Sequence, residues 1–311
     1  MSGRSGASAG LPANVVVFER GWLSSNNVLF VGAEETAVVD TGYVTHAEQT
    51  VALIESVLGD RPLDRILNTH LHSDHCGGNA ALQARYPGVR TDIPPGEAAL
   101  VERWDEEALS FMATGQTCPR FGLTGLLKPG TDCLLGDRQW QVHAAPGHDT
   151  HSVILFEPVS RTLISADALW ENGFGVAFPE LAGEPSFADM AATLGLIETL
   201  APMQVVPGHG AVFGDVDKSL SIARRRLDGL RRNPEKHARH AIKVLMKFKL
   251  LEMQAIGIDE WERWLKGTPY LANIHSRFFA DVESDRLTGD ILSELIASGA
   301  ASMDRAFIRN V

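Results

Sequence analysis

The sequence of 311 residues has few cysteines, no long apolar run and no signal-peptide-like start. The three cysteines, Cys76, Cys118 and Cys133, are an odd number without framework spacing, as in proteins that live among reduced thiols. No segment reaches the roughly 18 uninterrupted apolar residues of a membrane span. The first 20 residues, Gly/Ser-rich over the first ten, contain no apolar run of signal-peptide length. We therefore expect a cytoplasmic protein that neither depends on disulfides nor contacts a membrane.

Basic residues are scarce in the first two thirds of the chain. Residues 1–214 contain 11 Lys and Arg against 25 Asp and Glu, a net charge of −14, whereas residues 215–311 contain 17 against 14, a net charge of +3. An acidic surface of that size repels long polyanions unless a bound metal or a local patch reverses the field. The charge distribution therefore weighs against a nucleic-acid substrate without excluding one.

Short apolar runs alternate with helical patterns up to about residue 214, which predicts an α/β layout. The predicted strands cover residues 15–18, 28–31, 37–39, 65–68, 153–156, 162–165 and 204–206. The predicted helices cover residues 46–58, 79–86, 96–112 and 186–200. Residues 94–130, rich in turn formers after their helix, suggest a lid or substrate wall, or else an ordinary surface elaboration.

From residue 215 onwards the composition becomes helical and basic. The stretch PEKHARHAIKVLMKFKLLEMQ places apolar residues on one helical face, and the last stretch reads as a helix followed by a short hairpin. That outline suggests a winged helix, although a packing or dimerisation module is the favoured interpretation. We expect two domains, a catalytic domain over residues 14–214 and a helical module over residues 215–311, and leave a homodimer open.

The segment THLHSDHCGG concentrates metal-ligand chemistry in ten positions, 69–78. His70, His72, Asp74 and His75 offer imidazole nitrogens and a carboxylate, the donors that zinc and similar ions take, on a loop where they can converge. The preceding RILN is predicted to form a strand, and the following CGGNAALQARY is predicted to begin a helix. The cluster is therefore expected at the C-terminal end of a strand.

Four ligands cannot complete two metal sites, so further ligands are expected after other strands. His148 follows the QWQVHAA strand in PGHDTHS, Asp167 follows RTLI in SADALW, and His209 follows QVV in PGHG. Two of the three follow a Pro-Gly pair, which allows a sharp turn.

These motifs, in this order, resemble the metallo-β-lactamase superfamily: THLHSDH matches its HxHxDH signature, PGH, SAD and PGHG follow, and VVDTG at 38–42 is similar to its early Asp motif. The resemblance covers about residues 14–214. It implies an αββα sandwich with a dinuclear site at the loop ends of the two sheets. Asp40 would support the metal loop by hydrogen bonding. The implied first metal is held by His70, His72 and His148, the second by Asp74, His75 and His209, with Asp167 bridging.

The implied function is a hydrolase of the glyoxalase II-like branch, in which a metal-bridged hydroxide attacks a small ester, thioester or lactone and Asp74 accepts a proton as the intermediate collapses. Zinc is the default metal, with iron or manganese as alternatives. Asp167 at the bridging position disfavours β-lactam hydrolysis, where cysteine is common. Trp170 departs from the tyrosine of some lactonases. A nuclease, an iron-dependent oxygenase and a non-catalytic metal protein remain alternatives.

Aromatic side chains in residues 94–130 and 168–181 are expected to wall the pocket, and such walls suit an acyl or aromatic group. They are Trp104, Phe111, Phe121, Trp170, Phe174 and Phe178. Outside the motifs, Cys76 and His143 are expected to be structural, His151 is either a substrate contact or an ordinary polar residue, and His46, His237, His240 and His275 are expected on the surface or in the core.

Overall fold

A computed structural model describes residues 10–311; residues 1–9, most of the Gly/Ser-rich start, lie outside the described residues. The first sheet has six strands in the order β1 to β6, antiparallel from β1 to β3 and parallel from β3 to β6. Its strands are β1 Val15–Phe18, β2 Asn27–Val31, β3 Thr36–Val39, β4 Arg65–Leu67, β5 Arg90–Ile93 and β6 Gly125–Leu126.

The second sheet has five strands in the order β11, β10, β9, β8, β7, and only the pair β10 and β11 is parallel. Its strands are β7 Asp132–Leu135, β8 Arg138–Ala144, β9 Val153–Glu157, β10 Thr162–Ala166 and β11 Gln204–Pro207. All seven strands predicted from apolar runs are present, with ends that differ by at most one residue.

Some α-helices of the described residues cover the outer faces of the two sheets, and the last ones form the C-terminal region. The helices are α1 Ala47–Leu58, α2 Ser73–Cys76, α3 Asn79–Arg85, α4 Ala98–Arg103, α5 Phe111–Thr114, α6 Phe178–Ala182, α7 Phe187–Leu200, α8 Val216–Arg232, α9 Pro234–Met253, α10 Ile258–Gly267, α11 Pro269–Phe278 and α12 Ser284–Ala297, with 3-10 turns at Val44–His46 and Pro95–Glu97. Among residues 10–311, no helix is both long and apolar enough to cross a bilayer.

Alternation along the strands builds three apolar layers. In β2, Val28 and Phe30 face the space between the sheets while Leu29 faces α1 and α3. In β9, Val153 faces the same inner space and Ile154 faces α7 and α8. Because successive strand residues point to opposite sides, each strand joins two layers. The result is the αββα sandwich that the motifs predict.

The prediction of one helix over residues 96–112 is wrong. The segment forms a 3-10 turn and α4, then leaves the helix at Trp104, whose φ of 57° is left-handed, before the short α5. Trp104 packs against Phe111 and Phe121, with ring centroids 6.0 and 5.4 Å away. Asp105 Oδ1 accepts a hydrogen bond from the Ala108 amide and closes a turn. Tertiary packing and this turn therefore override the helical pattern.

The C-terminal region contains α8 to α12 and a small three-stranded sheet in the order β12, β14, β13. Its strands are β12 Ala255–Gly257, β13 Ala301–Met303 and β14 Phe307–Asn310, so the predicted helix followed by a hairpin is confirmed as α12 and the β13–β14 pair. Asp215 caps α8 and Asn233 caps α9, each accepting a hydrogen bond from a first-turn amide.

The proposed boundary at residue 214 stays a prediction, because apolar layers extend past it. Val216 and Leu220 of α8 share a cluster with Leu194 of α7 and Leu163 of β10. Val176 is buried in one apolar cluster with residues of α9 and the later helices. The C-terminal helices therefore pack directly on the segment that leads away from β10, and they reach the cavity described below.

Candidate metal centre

The seven predicted metal ligands lie together at one edge of the two sheets. His70 and His72 follow β4, Asp74 and His75 lie in α2, His148 is in the β8–β9 loop, and Asp167 and His209 follow β10 and β11. Three groups of side chains each bring their ligand atoms within 4.8 Å of one another. These groups are His70, His72 and His148; His70, His75 and Asp167; and Asp74, His75 and His209.

The first group consists of three imidazoles. Nδ1 of His72 lies 3.1 Å from Nε2 of His70 and 2.8 Å from Nε2 of His148. The other nitrogen of His148 is 2.6 Å from the carbonyl of Val176, which only an N–H can satisfy, so Nε2 of His148 carries a lone pair. Convergent lone pairs are unfavourable unless a cation or proton lies between them, so this geometry fits a metal ion.

The group of Asp74, His75 and His209 is less tightly packed than the group of three imidazoles. Nε2 of His209 lies 3.1 Å from Oδ2 of Asp74, and Nε2 of His75 lies 4.0 Å from the same oxygen. Nε2 of His75 is buried and has no hydrogen-bond partner among the described residues. An orphaned buried ring nitrogen costs free energy. A cation between these groups would remove that cost.

Asp167 lies between the group of three imidazoles and the group of Asp74, His75 and His209. Its Oδ2 is 3.3 Å from Nε2 of His148, while its Oδ1 is 3.5 Å from Nε2 of His75 and 3.9 Å from Nε2 of His209. One carboxylate oxygen therefore faces each group. Gly208 makes room for it, since a Cβ built there would lie 2.1 Å from Oδ1 of Asp167.

Asp40 supports the metal loop from behind, as predicted from VVDTG. Its carboxylate accepts hydrogen bonds from the backbone amide of Thr69 at 2.9 Å, from Oγ1 of Thr69 at 2.7 Å and from Nδ1 of His75 at 2.8 Å. Oγ1 of Thr69 also lies 3.1 Å from Nδ1 of His70. These bonds hold the outer nitrogens of His70 and His75, so their Nε2 atoms face the centre.

The electrostatics of the protein alone favour a cation here. Burial and the neighbouring His75 hold the pKa of His70 well below its usual range, and burial and His72 lower the pKa of His148 to about 4. Burial raises the pKa of Asp167, but His209 and His75 outweigh it and hold that pKa well below the ordinary value. His70 and His148 are therefore neutral beside an ionised Asp167, which are the protonation states in which metals are bound. Burial lowers the pKa of His75, but Asp40 and Asp167 outweigh it and raise that pKa well above its usual range, so a metal ion must displace a proton from this ring.

A cavity of about 730 Å³ opens directly on the centre. Five of the seven candidate ligands line it: His72, Asp74, His148, Asp167 and His209. Trp170, Phe174 and Phe178 line it as predicted, and Nε1 of Trp170 donates a hydrogen bond to Oδ1 of Asp167 at 3.2 Å. The prediction is wrong for the other three aromatic residues: Trp104, Phe111 and Phe121 pack with one another in a separate core.

Several cavity residues carry no sequence signal. Trp22 stacks on His209 with ring centroids 5.5 Å apart, yet it lies in the β1–β2 connection outside every motif. By contrast His151, for which the sequence left open a substrate contact or an ordinary polar residue, lines the cavity as well. The C-terminal helices contribute further residues, which periodicity alone would assign to a packing face: Arg226, His240, Phe248 and Tyr270.

The histidines and cysteines outside the motifs have other surroundings. Nε2 of His143 lies 3.2 Å from the side-chain oxygen of Gln141, Nδ1 of His46 lies 2.8 Å from Oγ of Ser24, and Nε2 of His275 donates to the carbonyl of Val282. Cys76 is fully buried, with Sγ 3.7 Å from that of Cys118. The expectation that Cys76 is a packing residue agrees with this burial.

Among curated proteins, the chain is similar to a hydroxyacylglutathione hydrolase of Stenotrophomonas maltophilia (strain R551-3), with 35% identity over 149 residues, 48% of this chain and 46% of that protein. The chain therefore spans about half the length of this relative. Among solved structures, a metallo-beta-lactamase family protein from Thermus thermophilus has a TM-score of 0.55 and 19% identity, covering 96% of this chain and 99% of that one.

A second solved structure, TTHA1623 in a di-iron-bound form, is 27% identical with a TM-score of 0.50, over 67% of this chain and 96% of that one. The family model of the metallo-beta-lactamase superfamily matches residues 20–209, which is more than half of the chain and includes all seven candidate ligands. Together with the αββα sandwich and the clustered histidines and aspartates, this match identifies the chain as a member of the metallo-beta-lactamase superfamily.

Proposed function

We propose that this protein is a metal-dependent hydrolase that acts on a small ester, thioester or lactone. The observation that carries the proposal is the position of Asp167, whose two carboxylate oxygens face two separate groups of ligand atoms. Such an arrangement suits two divalent ions. The names of the partial relatives, hydroxyacylglutathione hydrolases, favour thioesters within this class.

His70, His72 and His148 would hold one ion, Asp74, His75 and His209 the other, and Asp167 would bridge them. When bound, a pair of divalent ions lowers the pKa of water towards neutrality and polarises a carbonyl oxygen. The other catalytic roles would be carried by side chains of the protein. Asp74 lines the cavity and would accept a proton as the tetrahedral intermediate collapses. Trp170 fixes the orientation of Asp167 through its indole N–H.

The cavity supports a small substrate. Its volume of about 730 Å³ is within the range of about 300–1,000 Å³ typical of small-molecule pockets. Its aromatic lining, which includes Trp170, Phe174 and Phe178, suits an apolar acyl or aromatic group. The carboxylates of Asp149, Glu171 and Glu184 also line it, and their charges would repel a phosphodiester chain.

Zinc is our proposal for the metal, because imidazole and carboxylate ligands suit it. Iron is the second candidate, since TTHA1623 was solved in a di-iron-bound form and shares 27% identity. Elemental analysis of the purified protein decides between them. Iron together with substrate-dependent oxygen consumption would favour an oxygenase over a hydrolase. A cytoplasmic location fits the three free cysteines, which are typical of reducing compartments.

Two variants and one control test the function. We expect about two metal ions per chain and turnover of at least one ester, thioester or lactone in a panel of chromogenic substrates that also contains phosphodiesters. Asp167→Ala and His72→Ala should lower both metal content and turnover, the latter roughly 100-fold or more. His143→Ala, at a half-buried histidine whose ring contacts the side chain of Gln141, should change neither. Full activity in a metal-free Asp167→Ala protein, or turnover of the phosphodiesters alone, would refute the proposal.

A further inference from the structure

Arg226 on α8 brings a positive charge to the wall of the cavity. Its guanidinium lies over the ring of Phe174, with Cζ 4.9 Å from the ring centroid, and is largely shielded from solvent. The side chain extends from the helix towards residues 167–176. This segment begins at the candidate metal ligand Asp167 and packs against the C-terminal helices. Arg226 is therefore part of the substrate cavity rather than of the outer surface.

No carboxylate neutralises this charge among residues 10–311. Arg226 forms no ion pair, and burial is the cause that lowers its pKa. By contrast Arg224, two positions earlier on the same helix, is paired with both carboxylate oxygens of Glu198 at 2.8 Å. Buried guanidinium groups are normally paired, because an isolated charge away from water costs free energy. Arg226 is thus a partly buried cation without a counterion among the described residues.

The one hydrogen bond that Arg226 makes orients the guanidinium without neutralising it. Nη2 donates to Nε2 of His240 at 2.9 Å. Burial, Arg226 and Lys243 lower the pKa of His240 to about 4, so this imidazole is a neutral acceptor at pH 7. The other N–H donors of the guanidinium have no partner among the described side chains. They are available to a ligand in the planar arrangement that matches a carboxylate.

Residues 167–176 connect this guanidinium to the metal centre. The amide of Gly175 donates to the carbonyl of Asp167 at 2.9 Å, and the amide of Trp170 donates to the carbonyl of Gly173 at 2.7 Å. Gly173 has a φ of +137°, and a Cβ built on it would lie 2.6 Å from Nη1 of Arg226. The glycine therefore lets the backbone lie directly against the guanidinium.

We infer that Arg226, oriented by His240 and stacked on Phe174, is an anion subsite that binds a carboxylate on the acyl part of the substrate, away from the bond that is cleaved. This inference rests on the proposed hydrolase function and narrows its substrate class to acyl thioesters or esters that carry a free carboxylate. A cavity that holds the metal ligands and an unpaired guanidinium can bind both ends of such a molecule.

The kinetic test compares two thioesters with the same thiol: the monothioester of adipic acid, which has a free carboxylate, and its terminal primary amide. The wild type should prefer the carboxylate substrate by roughly 10- to 100-fold in kcat/KM, as expected for a hydrogen-bonded charge pair. In Arg226→Gln this ratio should fall to about 1. Arg226→Lys should keep part of the preference. The matched control Arg225→Gln, at an exposed arginine that donates a hydrogen bond to Ser221, should keep all of it.

A binding measurement separates failure of the subsite from failure of the hydrolase. Benzenesulfonate, a weak metal ligand, is titrated by calorimetry into the metal-loaded wild type, Arg226→Gln and Arg225→Gln. We expect binding that Arg226→Gln weakens at least tenfold and Arg225→Gln leaves unchanged. This result without any thioester turnover would retain the subsite and reject the hydrolase. Turnover with the same substrate ratio in wild type and Arg226→Gln, together with equal sulfonate binding, would reject the subsite.

Discussion

Asp40 binds the outer nitrogen of His75: Oδ2 of the carboxylate lies 2.8 Å from Nδ1 of the imidazole. Asp40 has a left-handed φ of 58°, and its carboxylate also accepts two hydrogen bonds from Thr69. This residue fixes two sections of the metal loop at once. A carboxylate that orients a candidate ligand in this way should influence metal affinity without contacting the metal.

Asp40→Asn should weaken metal binding by roughly 10- to 100-fold, because the amide cannot accept every hydrogen bond that the carboxylate accepts. The measurement is metal occupancy in competition with a chromogenic chelator. Asp137→Asn is a matched control, since Asp137 also has a left-handed φ, 63°, and accepts from a backbone amide, but is exposed and far from the centre in the fold. Equal losses of affinity in the two variants would contradict this role of Asp40.

Trp170→Phe should lower kcat about three- to tenfold while changing the unfolding temperature little. The substitution keeps an aromatic ring in the cavity wall and removes the indole N–H that donates to Asp167. One hydrogen bond to a charged group is worth about 1.5–3 kcal/mol, part of which solvent replaces in an open cavity. Trp22→Phe is the control, because Trp22 lines the same cavity and contacts His209 through its ring. An unchanged kcat in Trp170→Phe would show that this hydrogen bond is dispensable.

Glu97 should make the folded protein less stable as the pH rises. Burial and then the charge of Asp149 raise the pKa of Glu97 to about 8, and its Oε2 is buried without a hydrogen-bond partner among the described residues. Since the folded-state pKa lies above the unfolded one, the contribution of Glu97 to stability is complete below about pH 4.5 and is lost as the pH rises through about 8.

Thermal denaturation between about pH 5 and pH 9 tests this prediction for Glu97. Glu97→Gln, which cannot ionise, should have a flatter pH profile and melt a few degrees above the wild type near pH 9, since about 1 kcal/mol shifts the melting temperature of large domains by about 2–4 °C. Glu102→Gln, an exposed neighbour on α4, should behave like the wild type. A Glu97→Gln profile parallel to that of the wild type would refute the prediction.

The three thiols should react with an aromatic disulfide reagent only after unfolding. All are buried and free; burial raises the pKa of Cys133 to about 11 and holds that of Cys76 well above its ordinary value. Because the thiolate is the reactive form, both the burial of these thiols and their raised pKa values should slow the reaction. Stopped-flow labelling in buffer and in denaturant measures the difference. Rapid labelling of a thiol in the native protein would show that its environment opens.

The sequence by itself predicted the candidate metal ligands and determined the strands that carry them. Each candidate ligand lies in a loop or short helix that comes after a strand of alternating or continuous apolar residues, and the ends of neighbouring strands meet at one edge of a sheet. His70, Asp167 and His209 could therefore be assigned to one site before their distances were known. The family of the chain followed from the same short motifs, because the chemistry of the ligands is local to them.

Only the tertiary structure decided what surrounds that centre. The helix predicted over residues 96–112 breaks at Trp104, because packing against Phe111 and Phe121 outweighs local propensity. The same packing removes these aromatic residues from the cavity. Arg226 reaches the cavity because α8 lies across the second sheet, and its lack of a counterion among the described residues depends on where every nearby carboxylate lies. Periodicity reports which face of a helix is buried, but it does not identify the residues of other segments that meet that face.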